Sequence, residues 1–356
     1  MSSRSDTLER DAFVELLSAA RARVDERLAA WLRPKVLEAG AVSAEAGAAA
    51  EAVERLALRG GKRMRAALVA AGYDACGGEG GLAAVDAPML AVELLQVYLL
   101  IHDDWMDDDD VRRGGPSVHV ALRERLGDRK LGDAAAILAG DLASGYAQTA
   151  LLEAPQSADC VLRAARAFAT IQEEVVTGQL AEMCAVLGQP APSVEQIHAL
   201  KTASYTVTGP LALGVHLAGA DAAKAAELAR YGRPLGIAFQ LRDDLLGVFG
   251  DPTATGKPVW NDIRQGKRTA LVAELRGDAG AEALVGRVLG NASATDAEVE
   301  SLVRVMETSG AKARVEARLE ELLAEARRAL DAAGLPDSAG KRALAGAIRA
   351  LGERAA

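Results

Sequence analysis

Two aspartate-rich segments, 140 residues apart, carry the side chains of this chain best suited to chemistry. The first reads His102-Asp103-Asp104-Trp105-Met106-Asp107-Asp108-Asp109-Asp110-Val111-Arg112-Arg113-Gly114, and the second reads Gln240-Leu241-Arg242-Asp243-Asp244-Leu245-Leu246-Gly247. Each follows an apolar run with helical spacing. Asp103 and Asp107 are four apart, which places both on one helical face. Carboxylates packed so closely repel one another, so a cation is expected among them. Their oxygens are hard ligands of the kind Mg²⁺ takes, one or two at a time, with substrate phosphates completing the shell. Asp108 to Asp110 read as a solvated acidic helix end. An EF-hand is excluded, because the alternating oxygen ligands, central Gly and closing Glu of its loop are missing.

Three basic clusters accompany the acids. Arg59-Gly60-Gly61-Lys62-Arg63-Met64-Arg65 lies between two helical runs, where glycines permit close approach and cations could grip a diphosphate. Arg112-Arg113 follows the first acidic segment and could hold the same polyphosphate or pair with Asp109 and Asp110. Gly256-Lys257 precedes Asp262-Ile263-Arg264-Gln265-Gly266-Lys267-Arg268-Thr269, with Lys257 and Lys267 expected near Asp243. A P-loop over Gly250 to Lys257 fails: five residues separate the glycines, Pro258 stands where Ser or Thr is needed, and no strand precedes it. His102, His119, His198 and His216 have no Cys or His partner at metal-binding spacing, so core or surface roles are expected.

The elements that must position these residues read as helices. Ala, Leu, Arg and Glu dominate, aromatics make up 3%, and apolar residues recur at helical spacing. Helices are expected over 12–38, 44–59, 62–76, 88–108, 131–152, 157–187, 193–218, 221–249, 268–289, 296–308, 310–333 and 337–352. The 88–108 helix is apolar on almost every face between Leu94 and Ile101, which predicts a place at the centre of the molecule. No repeat and no Pro/Ser-rich linker divides the chain. The expectation is one all-α domain over 1–356, a large helical bundle around a central apolar cavity. The net charge of −9 argues against a nucleic-acid surface. Cys76, Cys160 and Cys184 are scattered and odd in number, as expected of reduced thiols in a cytoplasmic protein. No apolar stretch is long enough to span a bilayer, and no export signal is visible near Met1.

Taken together these residues resemble the trans-isoprenyl diphosphate synthases, or polyprenyl synthetases. The resemblance covers roughly residues 50–275. It rests on Gly-Gly-Lys-Arg-x-Arg (60–65), Asp-Asp-x-x-Asp with Arg-Arg-Gly (103–107, 112–114), Gly178-Gln179, Lys201-Thr202, and Gln240-x-x-Asp-Asp (240–244) with its trailing lysines. It implies an all-α fold with a deep apolar cavity and a homodimer. It also implies Mg²⁺, three ions per site with substrate bound, held by Asp103, Asp104, Asp107, Asp243 and Asp244. Arg112, Lys201, Lys257 and Lys267 would hold the departing diphosphate of an allylic substrate. Isopentenyl diphosphate would dock on Lys62, Arg65, Gln96 and Arg113. Thr202 and Gln240 would offer oxygen dipoles to the allylic cation, and pyrophosphate itself would take the proton.

Three positions depart from the family pattern. Gly247 stands where many members carry a third aspartate, Gln96 where a histidine is frequent, and Ala66 where Pro usually closes the basic motif. Product length in the family is set one to two turns before the first aspartate motif. Tyr98 lies five positions before Asp103, roughly 7.5 Å down the helix axis, with Leu99 beside it. One aromatic there, with no insertion in the motif, resembles geranylgeranyl diphosphate synthases and implies a C20 product; C15 is the nearest alternative. A class I terpene cyclase would not need Lys62, Arg65 and Arg113, and a non-catalytic partner subunit would be expected to lose motif aspartates.

Overall fold

Local signals set the helix ends. The structure, a computed structural model, describes residues 2–250 and 260–352. Helix α1 (Ser2–Val42) is followed by α2 (Ala44–Leu58), whose first turn is capped by the Ser43 hydroxyl. Next come α3 (Met64–Ala75), the single turn α4 (Gly81–Ala84) and α5 (Asp86–Met106). A hairpin of two-residue strands, β1 (Val111–Arg112) and β2 (Gly115–Pro116), follows the first acidic segment. Among the described residues it is the only sheet. Helix α6 (Val118–Leu126) stops at Gly127 in the left-handed region, and α7 (Arg129–Leu152) and α8 (Ala158–Val186) start from the side-chain caps Asp128 and Ser157. Helix α9 (Val194–His198) begins with a reciprocal Ser193–Gln196 capping box.

Where one helix was expected over 193–218, the structure has α9, a π-helical stretch over Ala199–Thr208, and α10 (Gly209–Leu217). The wider turn frees carbonyls of their usual partners. Side chains recover them: Thr208 Oγ1 donates to the Ala203 and Ser204 carbonyls at 3.1 and 3.2 Å, and Ser204 donates to Leu200. Helix α11 (Ala222–Phe249) then runs to the second acidic segment. A single turn not expected from the sequence follows, α12 (Asn261–Arg264), and the helix expected over 268–289 is broken into α13 (Ala270–Ala273) and α14 (Ala279–Val288). Gly277, with φ 89°, ends one turn, and Asp278 caps the next. Three more helices complete the described chain: α15 (Asp296–Thr308), α16 (Ala311–Ala332) and α17 (Ala339–Gly352).

The protein is all-α, as expected, with α6 missing from the sequence-based map. Met89 to Leu95 of α5 are all buried, whereas in the stretch expected at the centre Leu94, Leu95, Val97 and Ile101 are buried and Gln96, Tyr98, Leu99 and Leu100 are half-buried. Helix α5 packs against α1, α2, α3, α6 and α7. A second apolar cluster gathers α3, α10, α11, α16 and α17, and a third gathers α11 with α12 to α16. Helix α11 thus belongs to two clusters, and its end carries the second acidic segment. Among the described residues no helix is long and apolar enough to cross a membrane.

Candidate active site

The end of α5 builds the first half of the site. Gln96, Leu99, Asp103 and Asp107 follow one another at three- and four-residue spacing and share a face. Asp103 and Asp107 are half-buried, and two lysines neutralise them. Lys201 Nζ, from the π-helical stretch, lies 3.4 Å from Asp103 Oδ1, and Lys267 Nζ lies 3.0 Å from Asp107 Oδ2. Burial alone would raise the Asp103 carboxyl, but Lys201, Lys267 and Arg112 together hold it below the usual carboxylate range. Burial likewise opposes the Lys267 ammonium, yet Asp107 and Asp262 hold it above the usual lysine range. Lys201 follows the same pattern, with Asp103 and Glu182 outweighing desolvation. Asp103, Lys201 and Lys267 are therefore each held toward the charged form.

Lys267 and Gln265 tie the first acidic segment to the turn that follows the second. The backbone N–H of Lys267 donates to the Asp262 carbonyl at 2.9 Å, and its ammonium reaches toward Asp262 Oδ1 at 3.9 Å. Asp262 Oδ2 in turn lies against Gly247, 3.2 Å from where a Cβ would stand. Gln265 Nε2 donates to Asp109 Oδ1 at 2.9 Å. A second link passes through Thr202, beside Lys201, whose hydroxyl donates to Gln240 Oε1 at 2.8 Å. Gln240 Nε2 donates to Asp244 Oδ1 at 2.9 Å. Asp243, at the end of α11, is half-buried.

The inner aspartate of each pair differs from the expected metal ligand. Asp104 has no exposed surface and is held by Arg112, whose Nε donates to its Oδ1 at 2.6 Å. Burial pushes its carboxyl up to about 6, even against the pull of Arg112. Asp244 is also buried, accepting from Gln240 and from the Ala270 N–H at 3.4 Å, with His198 Nε2 3.5 Å away. Burial pushes Asp244 up to about 8 and His198 down to about 4, so it favours the neutral form of both. Each inner carboxyl faces the packing side of its helix end, while its outer neighbour stays half-exposed. Arg112, expected on a diphosphate, is committed through Nε and Nη2 to Asp104 and Asp109. Asp109, expected to be solvated, is half-buried between Arg112 and Gln265.

The basic loop before α3 packs against α5 through the Arg63–Glu93 pair. Gly60 and Gly61 take φ of 80° and 153°, which lets the loop turn in close to Arg113. A Cβ on Gly61 would meet the Arg113 guanidinium at 3.4 Å. Burial and then the charge of Arg63 pull Arg113 below the usual arginine range. Arg65 donates to Thr206 Oγ1 at 2.9 Å and stacks over the Tyr205 ring at 4.2 Å. Arg63 is a fully buried anchor, bonded to Asp25, Glu93 and the Ala57 carbonyl. Lys62 is exposed, and Gln96 is half-buried. Lys257 lies outside the described residues.

Sequence reasoning passed over Glu182, Gln265 and the buried Arg63–Glu93 pair. Glu182 had a usable signal: it lies four residues after Gly178, on the helix face that meets Lys201. The donor set fits a hard cation. Among the described residues, however, no three acidic, His or Cys side chains converge on one ion. Carboxylate oxygens are hard ligands of the kind Mg²⁺ takes, with water and phosphate oxygens filling the rest of its shell.

Residues 48–306 match the family model described as polyprenyl synthetase. The chain is 39% identical over 257 residues to a geranylgeranyl diphosphate synthase of Mycobacterium tuberculosis, covering 70% of this chain and 69% of that protein. A geranylgeranyl diphosphate synthase of Saccharolobus solfataricus is 36% identical over 234 residues, 64% of this chain and 67% of that one. Among solved structures, the geranylgeranyl pyrophosphate synthase of Corynebacterium glutamicum, complexed with isoprenyl diphosphate and magnesium, superposes with a TM-score of 0.85 at 32% identity. The superposition covers 96% of this chain and 99% of that one.

Proposed function

Because the chain belongs to the polyprenyl synthetase family, we propose that this trans-prenyltransferase condenses isopentenyl diphosphate with allylic diphosphates to a C20 product, geranylgeranyl diphosphate. The observation that carries the site assignment is the convergence of Lys201 and Lys267 on Asp103 and Asp107, with Lys267 also reaching Asp262 beyond the second acidic segment. Asp103, Asp107 and Asp243 would hold Mg²⁺, three ions with substrate bound. Magnesium there supplies positive charge that neutralises a leaving diphosphate.

The chain's own residues do the rest. Lys201 and Lys267, pre-set in the charged form, can exchange their carboxylate partners for phosphate oxygens at no cost in protonation. Lys257 would join them. The Gly60–Arg65 loop presents Lys62 and Arg65 beside Arg113, and Gln96 supplies an amide donor from α5; this is the proposed seat of isopentenyl diphosphate. Thr202 Oγ1 and Gln240 Oε1 sit together at 2.8 Å, where their oxygen dipoles can face a developing allylic cation. The apolar residues of α5 exclude water that would quench it. The departed diphosphate is the base for the final proton. The active form is proposed to be a homodimer joined through α7 and α8, because Val176, Leu180, Met183 and Leu187 make an apolar stripe there, with Leu138 and Leu152 also exposed.

The test is incubation of the enzyme with Mg²⁺, labelled isopentenyl diphosphate and C5, C10 or C15 primers, followed by sizing of the products. A dominant C20 product is expected, and Tyr98→Ser should shift it to longer chains. Unchanged length in Tyr98→Ser would remove Tyr98 as the limit. Conversion of geranylgeranyl diphosphate to hydrocarbon without isopentenyl diphosphate would point to a cyclase instead.

A further inference from the structure

Tyr98 does not stand alone on its helix. One turn on, His102 packs edge-to-face against it, with ring centroids 4.9 Å apart and planes at 70°. The imidazole is itself pinned. Its Nε2 lies 2.9 Å from the Ile137 carbonyl oxygen of α7, which can only accept, so Nε2 carries the proton. The ring occupies a notch that α7 opens at Gly140. A Cβ there would overlap Nε2 and Cδ2 and stand 3.1 Å from Cε1. Asp141 Oδ1, 4.0 Å from Nε2, closes the outer side of the pair.

We propose that His102, seated in the notch at Gly140, is a positioning residue that fixes the Tyr98 ring and so sharpens the limit on product length. The inference rests on Tyr98 being that limit. A tyrosine on a helix can swing between rotamers, and a limit that swings passes some over-long chains. The interlock removes that freedom from two sides. The i,i+4 spacing brings imidazole and phenol together, and the Ile137 carbonyl of α7 holds the imidazole in the notch. Burial, followed by the charge of Asp141, raises the phenol further, so the ring packs as a neutral group.

The test compares product distributions of the full-length enzyme with those of Tyr98→Ser, His102→Ala, His102→Phe, Gly140→Ala and the Tyr98→Ser/His102→Ala double variant. His102→Ala and Gly140→Ala should each raise the ratio of over-long to C20 product roughly twofold to tenfold, the range that one aromatic pair can shift. His102→Phe, which restores an aromatic neighbour, should return much of the wild-type ratio. The double variant should match Tyr98→Ser alone. A merely structural role for His102 would lower turnover and the melting midpoint without moving the ratio, and that result overturns the inference. So does an equal added shift from His102→Ala in the Tyr98→Ser background, because His102 would then act without Tyr98. If Tyr98→Ser lengthens products while His102→Ala and Gly140→Ala leave them unchanged, only the interlock falls. If Tyr98→Ser itself changes nothing, the role assigned to Tyr98 falls, and the interlock with it.

Discussion

At the scale of single residues, a carboxylate's neighbours decide its role more than its place in a motif does. Asp103 and Asp104 are adjacent in sequence, yet one meets lysines at a half-open face and the other meets Arg112 in the interior. Periodicity made the outer pair readable, since Asp103 and Asp107 share a face whatever packs elsewhere. It could not show that Arg112 returns through the hairpin to cover Asp104, because that contact depends on a turn eight residues on. Arg112→Met tests the difference. Removing a guanidinium from a buried carboxylate should cost roughly 3 kcal/mol of stability, read as a lower denaturant midpoint in the absence of substrate. A midpoint equal to wild type would return Arg112 to the substrate side.

At the scale of elements, the site depends on a helix that departs from α geometry. The π-helical stretch presents Lys201 and Thr202 toward opposite banks, with Thr202 bonded to Gln240 and Lys201 beside Asp103. Neighbouring helices give it room. A Cβ at Gly178 of α8 would lie 2.5 Å from the Lys201 nitrogen, and one at Gly236 of α11 would lie 2.5 Å from Ala203 Cα. The sequence shows Gly178 and Lys201 as separate signals; it does not show the wide turn between them, which arises from packing rather than from local preference. Most helix cores were legible from spacing, as with α2, α7, α8 and α11. The short α6 and α12 and the break between α13 and α14 were not, because their polar stretches carry little periodicity. Gly178→Ala should force backbone apart by several tenths of an ångström and lower stability by about 1–3 kcal/mol. Turnover should fall more than the lost fold alone explains, since Lys201 moves with the turn. Wild-type turnover in a correctly folded Gly178→Ala protein would separate the glycine from the site.

At the scale of the whole molecule, the three apolar clusters bring distant stretches of chain to one place. Core helix α5 delivers the first acidic segment, and α11, shared by two clusters, delivers the second. Convergence of the segments was readable only through the family resemblance; no spacing rule relates residues 140 apart. The α7–α8 face is left with exposed leucines, including Leu180 at 63% and Leu187 at 73%. If that stripe joins two copies, Leu180→Glu should convert a dimer to a monomer in sedimentation velocity, while a dimer that survives would move the interface elsewhere. The most direct test of the shared site is steady-state turnover, with Mg²⁺ and both diphosphates, of Asp103→Asn and Asp243→Asn measured side by side. If the two segments serve one magnesium–diphosphate centre, each substitution alone lowers turnover roughly a hundredfold or more; a rate close to wild type in either one contradicts it.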